Sequence, residues 1–405
     1  MSSHERRLER SAEALRRAGQ SPGTGQDPDW GDEDTRAAPG PVVFYRCSAT
    51  ENSRSHEIAS KLAVARALAG LMGRQFSGEF ESGHPYPVSP YFVPSETLVL
   101  TTQAQRLGIH GEQHLFGGVV PFAFVATKAI THPVPDADSP APTGWSPRFA
   151  EHVSDVVLPG FSAFSRRDAM RAGLQLLDAG AVRIKQPNGV GGLGQSVARN
   201  RRELESGLDA VDASELARDG IVLERNLVKV ETCSVGQARV DSMLITYCGT
   251  QRLTRANDGS QVYGGSDLTV VRGGWSRLLA LELAPALRTA IGQARVYHDA
   301  AMAMFQGMFA SRCNYDIAQG VDDTGNWRSG VLEQSWRIGG ASAAEVAALH
   351  AFHSDGGLEV VQACTTEIYG EAPAIPEDAL VYFRGDDEQA GPITKFSRLQ
   401  ADGHS

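Results

Sequence analysis

The chain has 405 residues, enough for two or three packed layers or domains, and 41% apolar with 7% aromatic residues is ordinary globular usage. A formal net charge of −10, with no stripe of Lys or Arg, argues against a nucleic-acid partner. No apolar run approaches the ~20 residues that span a bilayer, and the charged N-terminus MSSHERRLERSAEALRRAG has no secretory core, so no membrane partner and a cytoplasmic location are expected.

Residues 1–40 are rich in charge, Gly and Pro and read as a disordered arm. Order is expected from a short buried strand, Val42–Tyr45. Residues 57–72 then carry Ile58, Leu62, Ala65, Leu68 and Leu71 at helical spacing. Thr97–Leu100 and Gly117–Val125 read as further strands, so residues 41–127 predict a small α/β domain with a partly parallel sheet. Five prolines between 132 and 147 mark a surface loop. Ser165 caps a helix that runs from Arg166 to Asp178 and ends at Gly180. Strands are expected at 181–185, 221–224, 233–240, 242–248, 268–272 and 330–334, with one or two helices over 281–309. The five cysteines (Cys47, Cys233, Cys248, Cys313, Cys364) form no CxxC pair and are expected to be reduced and mostly buried.

Gly189-Val190-Gly191-Gly192-Leu193-Gly194 spells GxGxxG directly after a predicted strand. The dinucleotide fold needs a helix to start at the third glycine. Here Gln195–Ala198 reads as extended, and the helix starts later, at a capping box of Asn200 and Glu203. A Walker A loop is excluded because Gln195 stands where the lysine belongs. The kinase loop has its lysine downstream, whereas Lys185 lies upstream. What remains is a glycine hairpin between two antiparallel strands, with Lys185 at the end of the first. Its glycines would let backbone N–H groups approach phosphate, and Lys185 would add a point charge without being part of the core.

These segments resemble the ATP-grasp superfamily over residues 120–345, and more narrowly a bacterial ATP-grasp group labelled biotin-carboxylase-like. The resemblance implies an ATP-grasp fold of α/β and α+β parts. It would have a small N-terminal α/β domain at 41–127, an ATP-grasp domain at 128–350 with a mobile glycine-loop lid at about 181–222, and a C-terminal segment at 351–405. It also implies ATP and Mg²⁺ as cofactors. Lys128 and Lys185 would hold nucleotide with Gly191, Gly192, Gly194 and Ser196 of the loop. Glu224 and Leu227 would carry the adenine on a strand and hinge, and Glu231 would hold the ribose. Asp316 and Glu333 resemble the magnesium carboxylates. Where the family's ExN pattern has Asn two residues after the second acid, this chain has Ser335, a candidate third ligand whose hydroxyl binds magnesium more weakly and with a shorter reach than an amide oxygen, which puts a second metal site in doubt.

The residues themselves support that chemistry. Magnesium takes oxygen ligands and keeps waters, so one or two carboxylates plus phosphates suffice. Asp316 and Glu333 lie on two apolar stretches joined by the turn DDTGNWRSG, and both reach one site if the stretches are neighbouring antiparallel strands. Glu333 lies within the apolar run Val331-Leu332-Glu333 and so needs a compensating cation. Arg337, in a Gly-flanked turn, could clamp a phosphate or carboxylate. The expected reaction is ligation of a small-molecule carboxylate to an amine or similar nucleophile through an acyl phosphate, with Lys185 and Arg337 as the catalytic cations. A homodimer is compatible with the resemblance.

Two rival readings stay open: carboxylation of biotin, for which the chain lacks a carrier lysine motif, and an ATP-binding regulator without turnover, which Ser335 favours. A dinucleotide oxidoreductase stands well behind both. His298, His350 and His353 are expected to be structural. Tyr263–Ser266 reads equally as a substrate loop or a tight turn, and Arg252, Arg255 and Arg272 are further phosphate candidates.

Overall fold

The computed structural model describes residues 39–48, 55–99, 101–189, 194–371 and 373–400. Most of the arm expected at 1–40 therefore lies outside the described residues, as do Gly191 and Gly192.

The N-terminal part holds β1 (Val42–Tyr45), α1 (His56–Leu71), β2 (Phe76–Glu79) and β3 (Tyr91–Pro94). The three strands form a parallel sheet in the order β2-β1-β3. Ser55 caps α1 by accepting from the Ile58 N–H at 3.2 Å. After β4 (Leu98–Val99) and α2 (Thr101–Arg106), the strand expected over 117–125 is only β5 (Gly118–Val120). Pro121 has no N–H to continue the ladder, and Ala123–Ala126 turns into a 3-10 helix instead. A second 3-10 turn, Lys128–Thr131, and α3 (Pro147–Val153) follow.

A four-stranded antiparallel sheet comes next. Its segment runs through β6 (Gly160–Ala163), α4 (Arg166–Leu177), β7 (Val182–Lys185), β8 (Gln195–Ala198), α5 (Arg201–Asp209), α6 (Ala213–Asp219) and β9 (Ile221–Arg225). The strand order is β6-β9-β7-β8. Ser165 and Asn200 cap α4 and α5, each accepting from the backbone N–H three residues on. The helices cover one face of this sheet, where Val182, Ile184, Ala198, Ile221 and Leu223 pack against Leu176, Leu204 and Leu208. The period of two sends Arg183, Lys185, Val222 and Glu224 to the other face.

The largest sheet has eight strands. They are β10 (Val228–Val240), β11 (Met243–Arg255), β12 (Gln261–Arg272), β14 (Arg312–Val321), β15 (Trp327–Ser335), β16 (Val360–Tyr369), β17 (Leu380–Asp387) and β18 (Gly391–Gln400). The order is β15-β14-β10-β11-β12-β16-β18-β17, and β16 to β18 of the 351–405 segment extend it through the β12–β16 pairing. One face packs on α1 and α9 (Ser342–Ser354); the other packs on α3 and α8 (Pro285–Met304), which follows the short α7 (Trp275–Leu279). The short β13 (Phe309–Ala310) pairs with β5.

Candidate nucleotide and metal site

Two acids and two lysines meet beside the face of the four-stranded sheet opposite its helices. Asp316 of β14 and Glu333 of β15 are direct cross-strand partners. A bulge follows at once, since Ile317 pairs with Val331 and leaves Leu332 unpaired. Asp316 Oδ1 accepts from Asn314 Nδ2 at 2.8 Å and from Ser234 Oγ at 3.2 Å. Burial, then the neighbouring charge of Glu333, pushes the Asp316 carboxyl up to about 6. Glu333 is less enclosed than its apolar neighbours suggest, with a side chain 30% exposed, and its cation is Lys128, whose Nζ lies 2.5 Å from Oε2.

Lys128 starts the 3-10 turn that Thr127 caps through its hydroxyl. Its backbone N–H donates to Pro187 O at 3.3 Å, and its ammonium donates to Gly189 O, so it is tied to the start of the glycine hairpin. Lys185 departs from the expectation of a lysine outside the core. It is 1% exposed and ion-paired with Glu224, itself 1% exposed. The other Glu224 oxygen meets His132 Nε2 at 3.3 Å. Burial alone would raise the Glu224 carboxyl, but the Lys185 charge and the His132 contact hold it at about 2. Lys185 feels the charges of Glu333 and Lys128 as well, which makes the two pairs one cluster. Glu224 is thus a counter-ion through its side chain.

Leu227 is buried with Leu158 and Ala318, and Leu332 packs on them, giving an apolar surface next to the acids. Several expected residues are placed elsewhere. Ser196 pairs with Ile184 and lies on the helix-covered face; Gln195 is the residue opposite Lys185. Gly194 closes the hairpin at φ 70° and accepts from Gln186 N–H at 3.0 Å. Glu231 is exposed on β10, opposite Gln319.

Ser335 shares a face with the acids, but its Oγ receives the guanidinium of Arg312 at 3.3 Å. Its cross-strand partner is Asn314, so a side-chain amide does stand in this corner, on β14 instead of β15. Arg312 is buried against Glu345 of α9, with Nη2 2.7 Å from Oε1, and also donates to Arg337 O. Arg337 itself holds a carboxylate, with Nε 2.8 Å from Glu96 Oε2. Gly340 leaves room for Tyr263, whose ring would lie 2.6 Å from a Cβ there.

His132 and Asn314 were not singled out from the sequence. The local signals were a histidine four residues beyond Lys128, and an Asn two residues before Asp316 on the same strand face. Tyr263 to Ser266 belong to strand β12, and Tyr263 Oη meets Ser266 Oγ at 2.7 Å. Arg252 pairs with Asp267 at 2.7 Å, and Arg272 donates to Phe352 O at 2.6 Å, so both have structural partners. His298 meets Tyr315 and His350 meets Ala67 O, and the five cysteines are free thiols. Among the described residues no helix is long and apolar enough to cross a membrane, and no cluster of three or more His, Cys, Asp or Glu gathers as a metal site.

This architecture is the ATP-grasp fold. The biotin carboxylase domain of the Hydrogenobacter thermophilus 2-oxoglutarate carboxylase, a structure with MgADP, ADP and bicarbonate, is similar at 12% identity and a TM-score of 0.51, covering 90% of this chain and 87% of that one. A complex of Campylobacter jejuni biotin carboxylase with β,γ-ATP is similar at 10% identity and a TM-score of 0.50, covering 89% and 87%. The particular family follows from residues 44–397, which match the model described as protein of unknown function (DUF3182), and the chain belongs to that family. No curated protein matches the sequence.

Proposed function

We propose that the protein is an ATP- and Mg²⁺-dependent ligase that activates a small-molecule carboxylate as an acyl phosphate for attack by an amine or similar nucleophile. The observation that carries this reading is the cross-strand pair Asp316–Glu333, with Lys128 on one acid and the Lys185–Glu224 pair beside it.

The donor set fits magnesium. Two carboxylates that repel one another offer hard oxygens, and phosphate and water complete such a shell. Bound there, Mg²⁺ would neutralise charge on the phosphate oxygens. Lys128 and Lys185 supply positive charge for the phosphates, and the Leu158–Leu227–Ala318 surface suits the base. The hairpin after Lys185 is the proposed lid. Arg337 already grips the Glu96 carboxylate, and a substrate carboxylate could replace that partner. In the step proposed, a substrate carboxylate oxygen bonds to the γ-phosphorus and the bond to the β–γ bridging oxygen breaks, releasing ADP. The acceptor then attacks the acyl carbon, loses a proton and displaces phosphate. Positioning and charge neutralisation would supply most of the acceleration.

The test is a screen of carboxylates paired with amines for Mg²⁺-dependent ADP release. A pair that stimulates release and yields the condensed product supports the ligase. Tight ATP binding without release for any pair would favour the regulatory reading instead.

A further inference from the structure

We infer that a pocket of about 600 Å³ at the base of the four-stranded sheet is a second ligand site, built for a small molecule with an apolar body and one anionic group. It opens where the chain enters β6, between α3 and the C-terminal end of α4; its lining includes neither the acidic pair nor the two lysines, and it shares Leu158 with the apolar surface proposed for the base. Its size suits a small organic ligand. Leu158, Phe161 and Leu176 give it an apolar floor, and Glu151 stands exposed at the rim.

The specific feature is Arg225. Strand alternation turns it to the side of β9 opposite Glu224. Its side chain is 18% exposed, and its Nε is buried without a hydrogen-bond partner. Its contact with Asp322 is long, at 3.8 Å from Nη1, and that carboxylate already accepts from Arg328 Nε at 2.7 Å and from the Thr324 and Asn326 N–H groups. A guanidinium that lines the pocket beside an apolar floor, and whose contact with Asp322 is long, is complementary to a carboxylate, sulfonate or phosphate on an apolar body. The lining also includes His132, whose ring lies 2.9 Å from where a Cβ on Gly160 would stand. Because His132 also touches Glu224, the pocket and the lysine cluster share one side chain, and any coupling between them must be reciprocal.

The probes are 8-anilinonaphthalene-1-sulfonate and its neutral counterpart N-phenyl-1-naphthylamine, titrated by fluorescence and calorimetry on the full chain. The expected result is one sulfonate probe per chain, bound about tenfold or more tighter than the neutral one. Arg225→Gln should remove that preference. Ala179→Trp, at an exposed lining position, should block both probes with the melting temperature unchanged. A saturating non-hydrolysable ATP analogue should shift sulfonate affinity only to a limit. The proposal is overturned if the sulfonate probe does not bind, if Ala179→Trp still binds it, if Arg225→Gln keeps the preference, or if the nucleotide competes without limit. A chain that binds no ATP would sink the ligase reading, and the probe titrations would still decide the pocket.

Discussion

Asp316 and Glu333 face each other across neighbouring antiparallel strands, at the last regular pair before a bulge in β15. Like charges placed directly opposite destabilise a sheet, and here one acid is pushed up to about 6 while the other leans on Lys128 at 2.5 Å. An arrangement that is unfavourable by itself becomes favourable once a cation joins it, which is the physical basis for placing the metal at this pair.

Lys185 has a structural role as the buried partner of Glu224 and a proposed role in holding nucleotide, and a double substitution separates the two. Lys185→Gln alone should weaken ATP binding roughly tenfold to a hundredfold. It should also destabilise the fold by about 3–5 kcal/mol, because Glu224 stays buried with its main counter-charge gone. Lys185→Gln with Glu224→Gln should regain much of the stability and none of the affinity. Calorimetric melting and ATP titration on the wild type and these two variants check this; a Lys185→Gln protein as stable as the wild type would contradict the buried-pair account.

The same pair sets an acid limit on stability. Glu224 sits at about 2 in the fold against an ordinary 4.5, so the unfolded chain binds the extra proton. Its contribution is therefore present above about pH 4.5 and lost as the pH falls towards 2. Glu224→Gln should be less stable near neutrality and show a shallower fall in melting temperature between about pH 5 and pH 3. Equal slopes for the two proteins would remove Glu224 from the account.

Asn314 and Ser335 make opposite predictions about the metal. Tyr247 has one hydroxyl proton and two acceptors, Glu345 Oε1 at 2.6 Å and Asn314 Oδ1 at 2.9 Å. A flipped Asn314 amide would donate to Tyr247 and turn its oxygen towards Asp316, where a cation would want it. Asn314→Ala should weaken Mg²⁺-dependent nucleotide binding by roughly tenfold. Ser335→Ala, at a hydroxyl held by Arg312, should have little effect. The reverse order of effects would restore Ser335 as the ligand.

Much of this was legible from local pattern. Ser165 and Asn200 mark helix starts by their own hydrogen bonds, and the turn between Asp316 and Glu333 is short enough to force antiparallel neighbours. Face and partner were not legible. The β7–β8 register places Gln195 opposite Lys185, and one residue's difference sends Ser196 to the helix side. The Lys185–Glu224 pair joins residues far apart in the chain, so nothing local reports that the lysine is buried. Pro121 cut short a strand that apolar content alone would have continued.

The central claim is that Asp316 and Glu333 hold the metal that engages ATP. Its most direct test is calorimetric binding of a non-hydrolysable ATP analogue with and without Mg²⁺, to the wild type, Asp316→Asn and Glu333→Gln. The account predicts that Mg²⁺ tightens binding to the wild type by tenfold or more and changes neither variant by more than about twofold, with the double variant little worse than either single. Retention of the wild-type magnesium response in both single variants would contradict it.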